Sequence, residues 1–376
     1  MKILFTGGGS GGHFYPIIAV AEAINEATRE RKLLEPQLYY AAPDPYDREL
    51  LLANNITFVP TSAGKVRRYF SILNFFDLFK TGWGVLRSLL RIFFLYPDVV
   101  FGTGGYASFP TLLAARLFKI PVVIYATDVE PSRVNRWAKK FAVKIAVSFP
   151  EAAKYFPPEK TAFTGNPIRK AALTPAREGA HEFLKLKPEV PIILVLGGSQ
   201  GAEAINEVVL AALPQLLQNY QVVHQTGAAN IKEVIGRARI VLGLSDLSER
   251  YKPFGYLNDL ALRMSAGAAA LVVSRAGAGG IFEIASWGLP SIIIPIPEPL
   301  SHDQTKNAFS YARAGGAVVI EQNNLTPRLL VSEIDRILGD QHTLHKMKEA
   351  ARGFGRPDAS KMIAKVLLDI GLSHED

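Results

Sequence analysis

The chain has 376 residues, of which 48% are hydrophobic and 20% charged, a globular composition long enough for two domains of ordinary size. It contains no cysteine, which excludes a disulfide framework and thiolate metal ligands. The formal net charge of +8 favours an anionic partner such as nucleic acid, anionic lipid or phosphate.

Apolar runs of strand length alternate with helical patterns along the chain. In chain order the predicted strands are Ile3–Thr6, Leu38–Ala41, Val99–Gly102, Val122–Tyr125 and Ala142–Val147, then Ile192–Leu196, Gln221–Gln225, Ala270–Val273, Ser291–Ile294 and Ala317–Ile320. Continuous apolar strands separated by helices are typical of parallel sheets covered on both faces. The sequence therefore predicts an α/β protein with two doubly wound domains joined near residues 166–190, and a last amphipathic helix at about Leu344–Leu372.

The segment Lys65–Tyr96 mixes basic and bulky apolar residues. Between Lys65 and Arg91 six basic residues stand against one acid, Asp77, with many Phe and Leu between them. Such a mixture suits a membrane interface better than a nucleic-acid groove. Its most apolar stretch, roughly Leu86–Tyr96, is broken by Arg87 and Arg91 and is too short to span a bilayer. The N-terminus lacks the pattern of a signal peptide. We therefore expect a cytoplasmic protein that docks on an anionic membrane surface and has no nucleic-acid partner. The alternative is an ordinary core helix with a solvated face.

Two glycine-rich loops follow predicted strands of the first half. Gly7–His13 follows the predicted strand Ile3–Thr6. Gly102–Pro110 begins at the last residue of the predicted strand Val99–Gly102. Glycine lets the backbone approach a ligand closely, and the helix N-terminus after the loop offers N–H groups to an anion. The first loop is neither a Walker loop nor a clean dinucleotide fingerprint. Two such loops in one sheet fit a diphosphate bound between them.

The second half carries similar motifs at the ends of its strands. Leu196–Ala202 repeats the glycine loop, and Ser274–Ala285 places Glu283 in a helix where a carboxylate could accept hydrogen bonds from both hydroxyls of a ribose. His224–Gly227 and His302–Ala308 are polar clusters beside helices. Since ligands bind at the carboxyl ends of parallel strands, we expect these loops to line a cleft between two facing domains. No D-x-D-like acidic pair lies in a plausible loop, so no metal dependence is predicted.

Taken in order, these motifs resemble the MurG family, the N-acetylglucosaminyltransferases of peptidoglycan synthesis. The matching stretches are GGGSGGH, GTGGYASFP, TGNPIR at Thr164–Arg169, GGSQGA, HQTG, SRAGAGGIFEIASWGLP and HDQTKNA. The resemblance covers nearly the whole chain and implies a GT-B fold of two Rossmann-like domains. It also implies inverting, cofactor-free transfer of N-acetylglucosamine from UDP-GlcNAc to lipid I, an undecaprenyl-linked acceptor, to form lipid II. Such an enzyme acts at the cytoplasmic face of the cell membrane and serves cell-wall biogenesis, cell shape and division.

The resemblance also implies domain limits and site residues. It assigns residues 1–166 to acceptor and membrane binding, 167–345 to nucleotide-sugar binding, and 346–376 to a C-terminal helix that packs back on the first domain. The implied donor-site residues are Arg169, Ser199, Gln200, Leu257, Glu283, Gln304 and Asn307. The implied acceptor-diphosphate residues are Ser10, Gly11, Gly12, His13, Gly104, Gly105, Tyr106 and Asn135.

The catalytic residues are the least defined part of the resemblance. Where the family usually reads HEQN or HESD, this chain reads Tyr125-Ala126-Thr127-Asp128, although Asp128 and Asn135 stay in register. His13 is the first candidate for the base, because a neutral imidazole accepts a proton near pH 7, and Asp128 is the second. His13 could instead bind acceptor phosphate or cap its helix.

Three other functions remain open on the sequence alone. Another GT-B lipid glycosyltransferase, such as one acting on diacylglycerol, would share the loops and differ in acceptor. A UDP-sugar 2-epimerase would share the fold but needs a different acid/base set. A catalytically impaired UDP-sugar-binding homologue would account for the departure at Tyr125-Ala126.

Overall fold

The computed structural model describes residues 1–64, 73–198, 201–298 and 303–373, and the side chains of residues 73–79 are not described. The chain divides into two compact units, Met1–Arg169 with Arg356–Asp376, and Lys170–Gly355. Each unit contains one parallel sheet with helices between its strands. The predicted α/β class with two Rossmann-like domains is confirmed.

The first unit contains a seven-stranded sheet in the order β3-β2-β1-β4-β5-β6-β7, with every recorded pairing parallel. Its elements are β1 (Lys2–Thr6), α1 (Gly11–Glu30), β2 (Gln37–Ala42), α2 (Arg48–Ala53), β3 (Ile56–Pro60), α3 (Leu73–Leu95), β4 (Val99–Gly102), α4 (Phe109–Leu117), β5 (Val122–Ala126), α5 (Arg133–Ala138), β6 (Lys144–Val147) and β7 (Thr161–Phe163). Short 3-10 turns lie at Tyr106–Ser108, Pro150–Tyr155 and Pro158–Lys160.

Both faces of this sheet are buried, which is why its strands read as continuous apolar runs. Successive side chains of a strand point to opposite faces. Ile3 and Phe5 of β1 accordingly pack with residues of α1 on one face, whereas Leu4 packs with residues of α3 and α4 on the other. A strand inside two apolar layers has no solvated side, so the alternation seen in half-exposed strands is absent.

The second unit contains a six-stranded parallel sheet in the order β10-β9-β8-β11-β12-β13. Its elements are α6 (Lys170–Leu173), α7 (Ala180–Leu184), β8 (Ile192–Leu196), α8 (Glu203–Asn219), β9 (Gln221–Gln225), α9 (Ile231–Leu242), β10 (Tyr251–Phe254), α10 (Asp259–Ala268), β11 (Ala269–Arg275), α11 (Ala278–Trp287), β12 (Ser291–Ile294), α12 (Gln304–Arg313), β13 (Ala317–Val319), α13 (Pro327–Gly339) and α14 (Gln341–Phe354). Further 3-10 turns lie at Asp246–Arg250 and Gln322–Asn324.

The prediction of one final helix over Leu344–Leu372 is wrong. The structure has two helices there, α14 and α15 (Ala359–Leu372), separated at Gly355-Arg356-Pro357. Proline lacks the N–H that a helix needs and disfavours helical backbone in the residue before it, so the helix ends before Pro357. Helix α14 packs on α11 of the second unit, whereas α15 packs on α1 of the first. The domain limits drawn at 166 and 345 stay predictions.

Helix α3 is the longest of the described helices. No helix in the described part of the chain combines the length and the apolar character needed to cross a membrane.

Candidate active site

The strand order of the first sheet reverses beside β1. Strands β2 and β3 lie on one side of β1, and β4 to β7 lie on the other. In open parallel sheets this switch point leaves a crevice at the carboxyl ends of the two central strands, where ligands bind. The loop Gly7–Ser10 follows β1 and the loop Thr103–Gly105 follows β4, so both predicted anion loops lie at this crevice.

The two glycine loops are in contact with each other. A Cβ atom on Gly7 would lie 2.0 Å from Thr103 Oγ1, and one on Gly105 would lie 3.2 Å from His13 Nε2. Gly9, with a positive φ of 87°, packs on the ring of Tyr106. Any side chain at Gly7 would therefore push the loops apart, which explains the glycine there.

His13 is held by the second loop through two hydrogen bonds. Its Nδ1 lies 2.9 Å from the carbonyl oxygen of Thr103, and the Thr103 hydroxyl donates to the His13 carbonyl at 3.0 Å. A carbonyl oxygen can only accept, so Nδ1 carries the proton in this contact. In the neutral ring the lone pair is then on Nε2, beside Gly105. The arrangement suits a base whose basic nitrogen is next to the second loop.

The other residues predicted for the acceptor diphosphate gather around the same crevice. Ser10 and Gly12 are exposed at the start of α1, and the Ser10 side chain makes no capping hydrogen bond. The first N–H groups of α1 are thus available to an anion. Asn135 is buried beneath the second loop, where a Cβ on Gly104 would lie 2.9 Å from both atoms of its amide group.

Asp128, the second candidate for the base, lies farther along the sheet. It comes two residues after β5, which is one strand farther from β1 than β4 is, and its side chain is half-buried. It shares the sheet edge with the glycine loops. Its catalytic role stays a prediction.

The second sheet has its own switch point, between β8 and β11. The loop after β8 crosses the end of β9, because a Cβ on Gly201 would lie 2.3 Å from the Thr226 carbonyl oxygen. Gly198 has a φ of +83°, and among the described residues, chain neighbours aside, no atom lies within 4 Å of its Cβ position. The loop packs inward at Gly201. The predicted donor residues Ser199 and Gln200 lie outside the described residues, as does His302.

Gln225 links the glycine loop to the turn that contains Leu257. Its amide nitrogen donates to the Gly198 carbonyl at 3.0 Å, and its amide oxygen accepts from the Leu257 backbone N–H at 3.2 Å. Leu257 is itself buried. The backbone N–H of this implied donor-site residue is thus already hydrogen-bonded within the protein.

His224 is fixed as a neutral ring below this loop. It is fully buried, and burial lowers its pKa to about 3. The Tyr251 hydroxyl lies 2.9 Å from Nδ1, and the Asn206 amide oxygen lies 3.0 Å from Nε2. Because the Asn206 amide nitrogen donates to the Thr226 carbonyl, the chain of hydrogen bonds supports the loop contact at Thr226. This geometry gives His224 a structural role.

Glu283 lies on the open face of α11, the helix that begins directly after β11. In the described part of the chain, and leaving out chain neighbours and the helix's own backbone, no atom lies within 4 Å of the Cβ position of Gly277 or Gly279. Glu283 follows Gly279 by four residues and therefore lies on the same face of the helix. Its side chain is half-buried. A carboxylate on this face, one turn beyond the helix N-terminus, can accept hydrogen bonds from a ligand bound at the switch point.

Gln304 and Asn307 fix the loop between β11 and α11. The Gln304 side-chain oxygen accepts from the backbone N–H of Ala276 at 3.3 Å and of Ile296 at 3.1 Å. Asn307 donates to the Ala276 carbonyl at 3.3 Å. Both residues therefore hold the start of the helix that carries Glu283, and their contact with a donor sugar stays a prediction.

Arg169 is the last residue of the first unit. Its guanidinium carbon lies 4.8 Å above the ring of Tyr15, and only 9% of the residue is exposed. Tyr15 belongs to α1, so the structure places Arg169 beside the helix that carries His13. Its predicted contact with the donor diphosphate stays a prediction.

Sequence reasoning missed the residues that hold the loops in place. Thr103 and Gln225 lie inside motifs whose glycines explain the loop shape, and their own role depends on partners far away in the chain. Their one sequence signal is a polar side chain directly at the end of a buried strand. Among the described residues, no three His, Asp or Glu side chains gather in a way that could hold a metal ion.

Comparison with known proteins assigns the chain to a family. The model of the glycosyltransferase family 28 N-terminal domain matches residues 3–147, and that of the C-terminal domain matches residues 192–363. The fold, with glycine loops at both switch points, is that of a GT-B glycosyltransferase. The chain belongs to glycosyltransferase family 28.

Relatives and solved structures agree with this assignment. The chain is 37% identical to the UDP-N-acetylglucosamine–N-acetylmuramyl-(pentapeptide) pyrophosphoryl-undecaprenol N-acetylglucosamine transferase of Halothermothrix orenii, covering 98% of this chain and 99% of that relative. It is 34% identical to transferase 2 of the same name from Bacillus cereus, covering 96% and 97%. The crystal structure of Acinetobacter baumannii MurG matches with a TM-score of 0.73 at 25% identity, covering 98% and 99%.

The fold alone does not separate transferases from epimerases. The UDP-GlcNAc 2-epimerase of Neisseria meningitidis bound to UDP-GlcNAc matches with a TM-score of 0.66 at 15% identity, covering 98% of this chain and 100% of that chain. At that identity the likeness shows the shared fold and nothing about the reaction.

Proposed function

We propose that this protein transfers N-acetylglucosamine from UDP-GlcNAc to lipid I, with inversion at the anomeric carbon, to form lipid II. The observation that carries the proposal is the 37% identity, over 98% of the chain, to a relative named for this transfer. The two switch-point crevices support it, because one reaction with a nucleotide-diphosphate donor and a diphosphate-linked acceptor needs two anion sites.

The first unit would bind the acceptor and the second the donor. The loops at Gly7–His13 and Thr103–Tyr106 would hold the acceptor diphosphate on the helix N-terminus. Glu283 would accept hydrogen bonds from the ribose of UDP. Ser199, Gln200 and Arg169 would meet the donor diphosphate.

In the transfer step His13 would act as the general base. Its Nε2 takes the proton of the acceptor hydroxyl while that oxygen bonds to the anomeric carbon and the bond to UDP breaks. The negative charge that develops on UDP would be stabilised by the N-termini of α8 and α11 and by Arg169. Because these positive groups would stabilise the leaving UDP, we propose that the reaction needs no metal ion.

A transfer assay tests the proposal. Incubation with UDP-GlcNAc and a lipid I analogue should release UDP in proportion to the lipid II formed, and neither lipid-free buffer nor diacylglycerol should support that release. Transfer to diacylglycerol instead would establish the rival lipid glycosyltransferase. Formation of UDP-N-acetylmannosamine would establish an epimerase, and binding of UDP without turnover would establish an impaired homologue.

The proposed enzyme would work as a peripheral protein at the cytoplasmic face of the cell membrane, docked through α3. In the described part of α3, Gly84, Ser88 and Ile92 are buried. The exposed side is apolar and comprises Trp83, Leu86, Leu90, Phe93 and Phe94, with Tyr96 just beyond the helix. Arg87 and Arg91 are exposed among them. A row of exposed apolar side chains beside cations fits an anionic lipid surface rather than a core helix with a solvated face. The rest of the predicted docking segment, residues 65–72 and the side chains to 79, lies outside the described residues.

Replacing Phe93 and Phe94 together by Ser should weaken binding to vesicles that contain phosphatidylglycerol by at least about tenfold, because each buried Phe contributes roughly 1.5–3 kcal/mol. Phe94 is 80% exposed, so its loss removes little from the core. Co-sedimentation measures the effect. The matched control is Ile240→Ser with Leu244→Ser, two apolar residues of the second unit that are even more exposed, at 83% and 106%. Equal vesicle binding by the wild-type protein and the double Phe93→Ser, Phe94→Ser variant would show that α3 has only a structural role.

A further inference from the structure

Tyr125 is a buried polar side chain at the end of β5 that the proposed transfer step does not use. It is 0% exposed, and its hydroxyl contacts two partners, Ser148 Oγ and, at 2.6 Å, the amide oxygen of Asn166. Burial raises the pKa of this phenol well above its ordinary value, so it keeps its proton. Since the Asn166 oxygen can only accept, the phenol donates to it and accepts from the Ser148 hydroxyl.

The contact with Asn166 anchors the segment Thr164–Arg169. The Asn166 amide nitrogen donates to the Pro167 carbonyl at 3.1 Å, so both ends of its side chain are engaged. Backbone N–H groups of Thr164 and Gly165 donate to the Val147 carbonyl at the end of β6. The segment ends at Arg169, which lies over Tyr15 of α1. One phenol thus ties the end of β5 to a segment that reaches the helix carrying His13.

The backbone of Tyr125 holds the other loop. Its carbonyl accepts from the Asn135 amide nitrogen at 2.9 Å, and the Asn135 backbone N–H donates to Ser132 Oγ at 3.2 Å. Asn135 is 1% exposed and packs against Gly104 of the second glycine loop. Within the described residues its amide oxygen has no hydrogen-bond partner, so its orientation depends on the bond to Tyr125. A shift of the β5 end therefore moves the support of the second loop.

We propose that Tyr125 is a positioning residue, which sets the end of β5 so that the Thr164–Arg169 segment and the second glycine loop keep their places around His13. The inference rests on the proposed function for its effect on transfer. It also gives the departure from the family motif a physical meaning. Where the family motif has a histidine, this chain has a phenol that donates to Asn166 and accepts from Ser148.

Removal of one hydroxyl tests the proposal by two readouts. Tyr125→Phe should speed amide hydrogen exchange at residues 164–169 and lower kcat by roughly 10- to 100-fold, since small misplacements near the reacting groups cost that much. Asn166→Ala removes the acceptor from the other side of the same hydrogen bond and should change both readouts in the same direction. The matched control is Tyr220→Phe, which removes a hydroxyl bonded to Asp335 at 2.7 Å in the second unit and should leave both readouts as they are.

The outcomes separate the two proposals. If wild type releases no UDP with the lipid I analogue, the proposed function fails, and the exchange at 164–169 alone decides whether Tyr125 fixes the segment. Faster exchange with unchanged kcat and acceptor KM would mean that the phenol only supports the fold, which overturns the positioning role. Unchanged exchange overturns it too, and so does an Asn166→Ala enzyme with wild-type exchange and kcat.

Discussion

His13→Ala should lower kcat by roughly 10²–10⁴-fold, the usual loss when a general base is removed. The reason is that the Nδ1 contact with the Thr103 carbonyl leaves the basic lone pair on Nε2, at the crevice between the glycine loops. The dissociation constant of UDP-GlcNAc should barely change, because the donor is expected on the second unit. Steady-state kinetics at saturating lipid acceptor measure kcat, and calorimetry measures donor affinity.

A second substitution separates catalysis from positioning. His13→Asn can keep the hydrogen bond to the Thr103 carbonyl but provides no base, so it should be as slow as the alanine variant. If the asparagine enzyme regains kcat, His13 positions the loops instead. If the alanine enzyme keeps kcat and shows only a raised KM for the lipid, His13 binds acceptor phosphate and Asp128 becomes the next base to test. His345→Ala is the control, since its side chain is 73% exposed on the second unit.

Glu283→Ala should weaken UDP-GlcNAc binding by roughly 10- to 100-fold. Two ribose hydroxyls would lose a charged acceptor, and hydrogen bonds to charged groups contribute about 1.5–3 kcal/mol. The open face of α11 leaves the ligand no other carboxylate on that helix, whose remaining residues are apolar, small or Ser286. Isothermal calorimetry measures the dissociation constant directly.

The controls for Glu283 test charge and helix stability separately. Glu283→Gln keeps the shape and one acceptor oxygen, so it should fall between wild type and alanine. Glu349→Ala removes an exposed carboxylate from α14 in the same unit and should leave donor affinity unchanged. A folded Glu283→Ala protein that binds UDP-GlcNAc as wild type does would remove this residue from the donor site.

The interior strands could be predicted from the sequence, and three outer strands could not. Predicted strands such as Val99–Gly102 and Ile192–Leu196 match β4 and β8 residue for residue, because burial on both faces leaves an uninterrupted apolar run. The missed strands β3, β7 and β10 lie at sheet edges. An edge strand is half-exposed and tolerates polar residues and proline, as Thr57 in β3 and Pro253 in β10 illustrate, so its apolar pattern is weak.

By itself the sequence determined the positions of the glycine-rich loops. Gly7–Gly9, Gly104 and Gly197–Gly198 follow buried strands directly, and a loop's place after a strand depends only on its neighbours in the chain. The mixed basic and apolar character of α3 was also visible, but the sequence could not decide whether its apolar residues are buried. That depends on which side of the helix packs against the sheet.

Only the tertiary structure decided how the site is held together. Thr103 reaches His13 across 90 residues because β1 and β4 are adjacent in the sheet. Tyr125 and Asn166 meet through the order of β5 and β6, and the rotation of α11 decides that no described atom lies within 4 Å of the Gly279 Cβ position, one turn before Glu283. Hydrogen bonds between distant residues depend on strand order and helix rotation. The apolar runs of the sequence are compatible with many strand orders, and only the packing of the whole chain selects one of them.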